Sequence, residues 1–192
     1  METDRLRTTI ASAQSGSSDG FASLLEAYGP RLYGYFFRAT GSHHDAEDLL
    51  GEMMLRLVKR LKNYDDRGKF EPWLFRIAAN MVRDRIRRSK ANPGPISLSA
   101  EDDDGGSMGE QLPGVAEAVD ADVLAGEMGA ELGEAMARLD DTTRQMILLR
   151  HFGEMSFKEI AEVFECPLGT VLARVHRGLK ALRRLMGGSN DA

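Results

Sequence analysis

Apolar residues in the first half of the chain recur at the spacing of amphipathic helices, in three successive blocks. The first block spans residues 21–40 and ends at Gly41-Ser42, a pair that breaks helices. The second spans residues 44–62 and carries a stripe of apolar positions three or four residues apart: Leu50, Met53, Leu57 and Leu61. The third runs from Pro72 to Lys90 with apolar residues near the helical period: Trp73, Ile77, Met81 and Ile86. These blocks predict three helices that share one core.

A further helical pattern lies between Met155 and Leu185, in the form of two helices joined by a tight turn. Ser156 and Glu159 have the capping-box spacing that starts a helix, and Glu165-Cys166-Pro167 forms the break. The first helix is expected to bury Ile160, Ala161 and Phe164. The second is expected to bury a stripe made of Leu168, Val171, Val175, Leu179 and Leu182. This is the pattern of a helix-turn-helix.

The second helix of this pair is basic. It carries five lysines or arginines and no acidic residue between Leu168 and Met186. Thr170, Arg174 and Arg177 lie opposite the apolar stripe, so this face is expected to enter the major groove of DNA. The alternative is the ordinary solvated face of a surface helix.

The helix at 72–90 combines aromatic residues with a basic end. Trp73 and Phe75 come first, and five cations follow: Arg83, Arg85, Arg87, Arg88 and Lys90. Single-stranded nucleic acid suits such a surface, because bases stack on the rings while cations follow the phosphates. The alternative is that both aromatic side chains belong to the core. Residues 64–71, directly before this helix, have the composition of a turn-rich loop.

The helix at 44–62 presents a second face that is both acidic and apolar. Asp48, Glu52 and Leu55 recur on it at steps of four and three. Such a face is a plausible docking surface for a basic partner helix. A solvated helix start, where acidic residues are favoured by the helix dipole, explains the same residues. The spacing alone leaves both interpretations open.

Charge is distributed unevenly along the chain, whose formal net charge is −5. Residues 1–90 carry a net charge of +4 and residues 144–192 carry +3, whereas residues 91–143 carry −12. The acidic part is rich in Gly, Pro and Ser and has little to bury, which predicts a linker. Its acidity suits a soluble tether or a strand that mimics nucleic acid inside a basic channel, and composition alone favours the tether. Apolar residues return at helical spacing from about Val115 to Leu139.

These patterns together predict an all-α protein with two small helical domains joined by an acidic linker. The predicted divisions are a disordered N-terminal tail at 1–20, a first domain at 21–91, the linker at 92–131, a second domain at 132–187 and a tail at 188–192. The first 20 residues are polar and contain no long apolar run, so neither secretion nor a membrane anchor is predicted.

The residue types argue against several classes of function. The four histidines and the single cysteine show no metal-ligand spacing, and no Gly-rich phosphate loop or nucleophile elbow occurs. No metal site, cofactor or enzymatic activity is therefore predicted. Cys166 has no second cysteine to pair with and fits a reducing cytoplasm. It is expected to be a buried small residue, and a redox sensor is the alternative.

Three stretches of this chain resemble the extracytoplasmic-function (ECF) sigma factors of the bacterial sigma-70 family. The stretch DAEDLLGEMMLRLVKRL is similar to the helix that docks on the RNA polymerase beta-prime coiled coil. The stretch FEPWLFRIAANMVRDRIRR is similar to the helix that reads and melts the −10 element. The helix-turn-helix at 155–185 is similar to the reader of the −35 element. The resemblance implies a region-two domain and a region-four domain, and a linker that threads the polymerase cleft, which favours the nucleic-acid mimic over the tether.

The resemblance also implies roles for individual residues. The polymerase-docking positions are Asp48, Leu49, Glu52 and Leu55. The −10 positions are Tyr64, Asp65, Asp66, Arg67, Lys69, Trp73, Arg76, Asn80, Arg83, Arg87 and Arg88, with Asn80 and the loop 64–69 around a flipped base. The −35 positions are Pro167, Gly169, Thr170, Leu172, Ala173, Arg174 and Arg177.

The chain departs from the family pattern at two places. Gly51 stands where the family usually has glutamine in the docking helix, and Leu172 and Ala173 stand where it usually has Lys-Ser. Apolar contacts to thymine methyl groups could replace the polar ones, or Arg174 and Arg177 hold mainly phosphate.

The partners implied by the resemblance are core RNA polymerase through its beta-prime and beta subunits, promoter DNA as duplex and as melted single strand, and an anti-sigma factor. No cofactor and no membrane contact are implied, and the place of action is the cytoplasm. A stand-alone helix-turn-helix regulator is the alternative function. It would bind operator DNA without polymerase and would leave the aromatic and basic helix at 72–90 unexplained.

Overall fold

The computed structural model describes residues 3–91 and 126–187. All regular structure in these two ranges is α-helical, which confirms the predicted all-α fold. The helices are α1 (Thr3–Gln14), α2 (Ser18–Thr40), α3 (His43–Leu61), α4 (Phe70–Ala91), α5 (Gly126–Ala137), α6 (Asp141–Phe152), α7 (Phe157–Phe164) and α8 (Leu168–Gly187). We call α1–α4 the N-terminal lobe and α5–α8 the C-terminal lobe.

Local capping sets the helix boundaries in the N-terminal lobe. The hydroxyl of Ser42 accepts a hydrogen bond from the amide of Asp45 at the start of α3. Gly41, at φ 73°, ends α2 in the left-handed region that favours glycine, and its amide donates to the carbonyl of Phe37. The core between α2, α3 and α4 contains the predicted apolar stripe of α3 and large side chains from both neighbours, including Leu32, Phe36, Leu74 and Phe75.

The predicted disordered tail at 1–20 is wrong, because residues 3–14 form α1. Ile10 and Ala13 of this helix are each only 1% exposed. Gly20 at the start of α2 lets the two helices approach closely, since a Cβ there would lie 2.5 Å from the backbone nitrogen of Ala13. One apolar face three turns long is a weak signal in a sequence, and burial against α2 is what makes it a helix.

The C-terminal lobe contains the predicted helix-turn-helix as α7 and α8. Ser156 and Glu159 form the complete capping box at the start of α7. The predicted stripe of α8 is only partly correct, because Val171, Val175 and Leu182 are buried whereas Leu168 and Leu179 are 45% and 43% exposed. Leu168 lies in the first turn, and close packing of α6 on Gly178 leaves Leu179 at the edge of the buried arc.

The second domain begins earlier than predicted. Helix α5 starts at Gly126, inside the range 92–131 that was assigned to the linker. Residues 92–125 lie outside the described residues, and so do both the acidic run and the start of the helix predicted from Val115. The predicted tail at 188–192 also lies outside them.

The two lobes pack directly against each other. Helix α2 contacts α6, and α4 contacts both α6 and α7. The sequence patterns predicted two domains but no contact between them. This contact determines which of the predicted site residues face solvent.

Candidate nucleic-acid and protein interfaces

The acidic and apolar face of α3 is exposed, as a docking surface requires. Leu55 is 66% exposed and lies on the same side of the helix as Asp48 and Glu52. Glu52 is held by Arg56, whose Nη2 lies 2.6 Å from Glu52 Oε1. Leu49 does not belong to this surface, because it is 2% exposed and faces the core. It lies about 100° around the helix from Asp48, toward the buried stripe.

A cation on α4 holds the start of α3. Arg85 pairs with Asp45, and its Nη2 lies 3.4 Å from Asp48 Oδ2. The hydrogen bond to Asp45 is the main cause that raises the pKa of the Arg85 guanidinium. Sequence reasoning counted Arg85 among the cations of α4 and missed its role of orienting an α3 carboxylate. The signal lies only in the packing of α3 on α4.

The loop at 64–69 is an ordered turn beside Trp73. The rings of Tyr64 and Trp73 lie 4.4 Å apart between centroids, and Trp73 is half-buried. Asp66 accepts hydrogen bonds from the Tyr64 hydroxyl at 3.3 Å and from the amide of Gly68 at 2.9 Å. Burial, with the neighbouring Asp66 carboxylate, raises the pKa of Tyr64 to about 12, so this hydroxyl stays protonated at neutral pH. Asp65 pairs with Arg67 at 2.7 Å in solvent.

Helix α1 supports this loop from behind. The side-chain amide of Gln14 donates to the carbonyl of Leu61 at 3.0 Å and to that of Tyr64 at 2.7 Å. The Arg7 guanidinium lies 3.9 Å from Asp66. Sequence reasoning missed both residues, because it treated this segment as a tail.

Asn80 opens into a polar cleft of about 690 Å³ rather than into the loop. The cations along the cleft are Arg56, Arg60, Arg83, Arg87 and Lys90. Asp141 and Gln145 of α6 close its far side, and Lys90 Nζ lies 2.6 Å from Asp141 Oδ2. The cleft brings the predicted residues Asn80, Arg83 and Arg87 together and adds two cations of α3 that sequence reasoning missed. Arg88 and Arg87 both turn to solvent, bonded to Asp84.

The −35 positions share one exposed face at the start of α8. Pro167, Gly169, Thr170 and Ala173 are exposed, and Leu172 is 43% exposed. Arg177 is exposed and donates to the carbonyl of Ala173 at 3.2 Å.

Arg174 differs from its neighbours because it is tethered to α6. Its Nη1 lies 3.1 Å from Asp140 Oδ1 and 3.3 Å from the hydroxyl of Thr143. Partial burial acts to raise the pKa of Asp140, but hydrogen bonds from Thr143 and the nearby Arg174 guanidinium leave it below its ordinary value. The Asp140 carboxylate therefore stays ionised and orients Arg174 along the face.

Comparison with known proteins decides what these faces belong to. The Sigma-70 region 2 family matches residues 24–92, and the Sigma-70 region 4 family matches residues 129–182. The ECF RNA polymerase sigma factor SigW of Bacillus subtilis (strain 168) is 32% identical over 181 residues, which cover 93% of this chain and 95% of SigW. The chain belongs to the ECF RNA polymerase sigma factors. It is an alternative sigma factor that directs promoter-specific transcription initiation by RNA polymerase.

Further relatives agree with this assignment. The ECF sigma factor SigE of Mycolicibacterium smegmatis is 31% identical over 173 residues, covering 90% of this sigma factor and 64% of SigE. Among solved structures, CnrH in complex with the cytosolic domain of CnrY superposes with a TM-score of 0.61 at 23% identity, covering 97% of this chain and 98% of CnrH. RpoE of Bartonella quintana in complex with NepR gives a TM-score of 0.60 at 21% identity, covering 90% and 98%. These two structures support the fold.

The family boundaries follow the lobes of the sigma factor. Region two covers α2–α4 and region four covers nearly all of α5–α8, so α1 precedes the matched part. No helix within 3–91 or 126–187 is both long and apolar enough to cross a membrane.

Three of the −10 positions contact the C-terminal lobe. Lys69 Nζ lies 3.4 Å from Glu159 Oε1, and Arg76 Nη2 lies 2.9 Å from Glu162 Oε2. Arg83 donates to the carbonyl of Val163 at 2.9 Å, and its guanidinium lies over the ring of Phe164 at 5.4 Å. In this arrangement these three cations face protein rather than solvent.

Proposed function

We propose that the exposed face of α3 is the polymerase-docking surface of this sigma factor, formed by Asp48, Glu52 and Leu55. The observation that carries the proposal is the exposure of Leu55, an apolar side chain at 66% beside two carboxylates, on a helix whose opposite face is core. A partner helix with apolar and basic residues would bury Leu55 and pair with the carboxylates. Arg85 would keep Asp48 oriented before docking.

The −10 element is assigned to the N-terminal lobe. Trp73 and the loop at 64–69 offer rings and polar groups for an unstacked base, while Arg83, Arg87 and Arg88 offer cations for the strand. Stacking on an aromatic ring returns about 1–3 kcal/mol per base, which offsets the few kcal/mol needed to open a base pair. Asn80 would bind a base edge within the cationic cleft.

The −35 element is assigned to the exposed face of α8. Thr170, Leu172 and Ala173 at its N-terminal end would reach base edges, and Arg174 and Arg177 would hold bases or phosphates. Leu172 and Ala173 suit thymine methyl groups better than hydrogen-bonding edges. We assign no catalytic residue to the sigma factor, and its place of action is the cytoplasm, where the polymerase works. The solved structures with CnrY and NepR suggest an anti-sigma partner of its own.

Transcription in vitro with purified core RNA polymerase tests the function. DNA selected by the reconstituted holoenzyme should support initiation that depends on this sigma factor. Replacing both Asp48 and Leu55 by alanine should lower affinity for the core about tenfold or more, because the pair lies at the centre of the proposed contact. Glu47→Ala is the matched control, since Glu47 is acidic and exposed but lies off this face. Equal core binding by the double variant and the wild type would remove the docking assignment.

A further inference from the structure

One aromatic side chain of the C-terminal lobe is held by the N-terminal lobe. Phe152, at the end of α6, lies against Gly34 of α2, and the guanidinium of Arg38 lies 5.2 Å from the centre of its ring. The carbonyl of Phe152 accepts two hydrogen bonds from Arg31, at 3.2 Å from Nε and 2.6 Å from Nη2. Arg31 is itself oriented by Glu71 at 3.0 Å. This site binds both the ring and the backbone of one residue.

Two glycines allow the lobes to approach this closely. A Cβ at Gly34 would lie 3.1 Å from Cε1 of Phe152, and a Cβ at Gly153 would lie 3.0 Å from Cβ and Cγ of Phe75. Phe75 is fully buried with the C-terminal lobe in place. A larger side chain at Gly34 therefore does not fit unless Phe152 moves away.

The second contact between the lobes occupies the −10 surface. Helix α7 places Glu159 against Lys69, Glu162 against Arg76 and the carbonyl of Val163 against Arg83. Two carboxylates and a carbonyl thus meet the cations that a phosphate backbone would otherwise contact. A nucleic-acid strand cannot reach all three cations while α7 lies there.

We propose that the sigma factor without polymerase masks its own −10 surface, and that Phe152 in the Gly34 site holds this closed arrangement. The inference rests on the proposed role of Lys69, Arg76 and Arg83 in holding the −10 strand. Binding to core polymerase would separate the lobes and expose the three cations. The exposed −35 face of α8, carrying Thr170 and Arg177, is not covered, so only single-strand binding is masked.

The mask has a quantitative consequence for DNA binding. The apparent affinity of a ligand falls by the fraction of molecules in the binding-competent state. The three ionic contacts are solvent-exposed and contribute little individually. The packing of Phe152 is therefore the part of the contact whose loss should open the lobes.

The test uses Gly34→Leu in the full-length chain without polymerase. The probes are a short fluorescein-labelled single-stranded DNA of mixed sequence, and a duplex of mixed sequence. Gly34→Leu should bind the single strand about tenfold more tightly than the wild type, with unchanged duplex affinity. Small-angle X-ray scattering should show a larger radius of gyration. Gly133→Leu is the matched control, because Gly133 has no neighbouring atom within 4 Å of its Cβ position.

A second variant keeps the test decisive if Gly34→Leu folds poorly. Phe152→Ala removes the ring without adding bulk to α2 and should have the same two effects. Expansion without a gain in single-strand affinity would overturn the proposal, and so would no expansion in either variant. Transcription by holoenzymes carrying either variant should equal the wild type, because the core already separates the lobes. Absence of initiation with the wild-type holoenzyme would instead count against the proposed function.

Discussion

Single side chains decide how firmly the −10 loop is held in this sigma factor. The amide of Gln14 bridges the carbonyls of Leu61 and Tyr64, at the point where α3 passes into the loop. These carbonyls face α1 and lose an acceptor's partner if Gln14 is removed. A residue outside the matched sigma region thus positions the ring of Tyr64 against Trp73.

We expect Gln14→Ala to destabilise the N-terminal lobe by about 1–3 kcal/mol, because two partly buried carbonyls lose their donor. Open-complex formation by the holoenzyme should fall as well, since the loop loses its support. Urea unfolding and permanganate footprinting of the promoter measure the two effects. Thr8→Ala is the control, because the Thr8 hydroxyl bonds only to the carbonyl of Asp4 on the same exposed helix face. Equal stability of both variants would contradict this account.

Glu159 joins the start of α7 to the −10 loop and should make stability depend on pH. Partial burial acts to raise the pKa of Glu159, but hydrogen bonds from the amide and hydroxyl of Ser156 and from Lys69 leave it below the ordinary value of 4.5. A lowered pKa in the folded state stabilises the protein above the unfolded value, and this stability is lost as pH falls through the folded value.

The free energy of unfolding of the wild type should therefore fall more steeply below about pH 4.5 than that of Glu159→Gln. Glutamine keeps an acceptor for Ser156 but does not titrate. Urea titrations at a series of pH values would measure the difference. Parallel pH curves for the two proteins would show that Glu159 contributes nothing to acid unfolding.

At the scale of helices, glycine has opposite effects in two places. Gly51 lies on the exposed face of α3, and a Cβ there would meet no atom within 4 Å. Gly178 lies where α8 crosses α6, and a Cβ there would lie 2.6 Å from Cγ2 of Thr143 and 2.8 Å from Cδ1 of Ile147. The first glycine weakens its helix and the second permits close packing.

Gly51→Ala should therefore stabilise the sigma factor by about 0.5–1 kcal/mol, the usual difference between glycine and alanine inside a helix. Gly178→Ala should destabilise it, because α6 must shift. Thermal unfolding of both variants beside the wild type measures the pair. Changes of the same sign in the two variants would contradict the packing described for α8.

At the scale of the whole molecule, two basic lobes close on each other and an acidic segment separates them along the chain. Apolar packing around Phe152 and exposed ion pairs around α7 contribute unequally to this closure. An exposed ion pair is worth between about 0 and 1 kcal/mol, whereas burial of an aromatic ring is worth more. Closure should therefore respond to the ring and hardly to any single charge.

Glu162→Gln, which removes the partner of Arg76, should change the radius of gyration and the single-strand affinity by less than about twofold. Scattering and anisotropy on Phe152→Ala in parallel give the contrast. If Glu162→Gln alone opened the lobes, charge rather than packing would hold them together.

The agreement between sequence and structure follows the range of the interactions. Ser156 and Glu159, the buried stripe of α3 and the cationic end of α4 were predictable because capping and amphipathic spacing act within a few turns of one helix. Leu49 was assigned to the docking face by resemblance alone, and its burial follows from its angle around α3. Leu168 and Leu179 fit the stripe but lie beyond the area that α6 and α7 cover.

The amino-acid sequence by itself determined the helices, the acidic and apolar face of α3, the basic faces of α4 and α8, and membership of the sigma family through motifs in register. These properties depend on neighbours along the chain. Only the tertiary structure decided that residues 3–14 fold onto α2, that Gln14 supports the −10 loop and that Phe152 brings the lobes together. Each of these contacts joins residues far apart in the sequence, and packing rather than local pattern selects them.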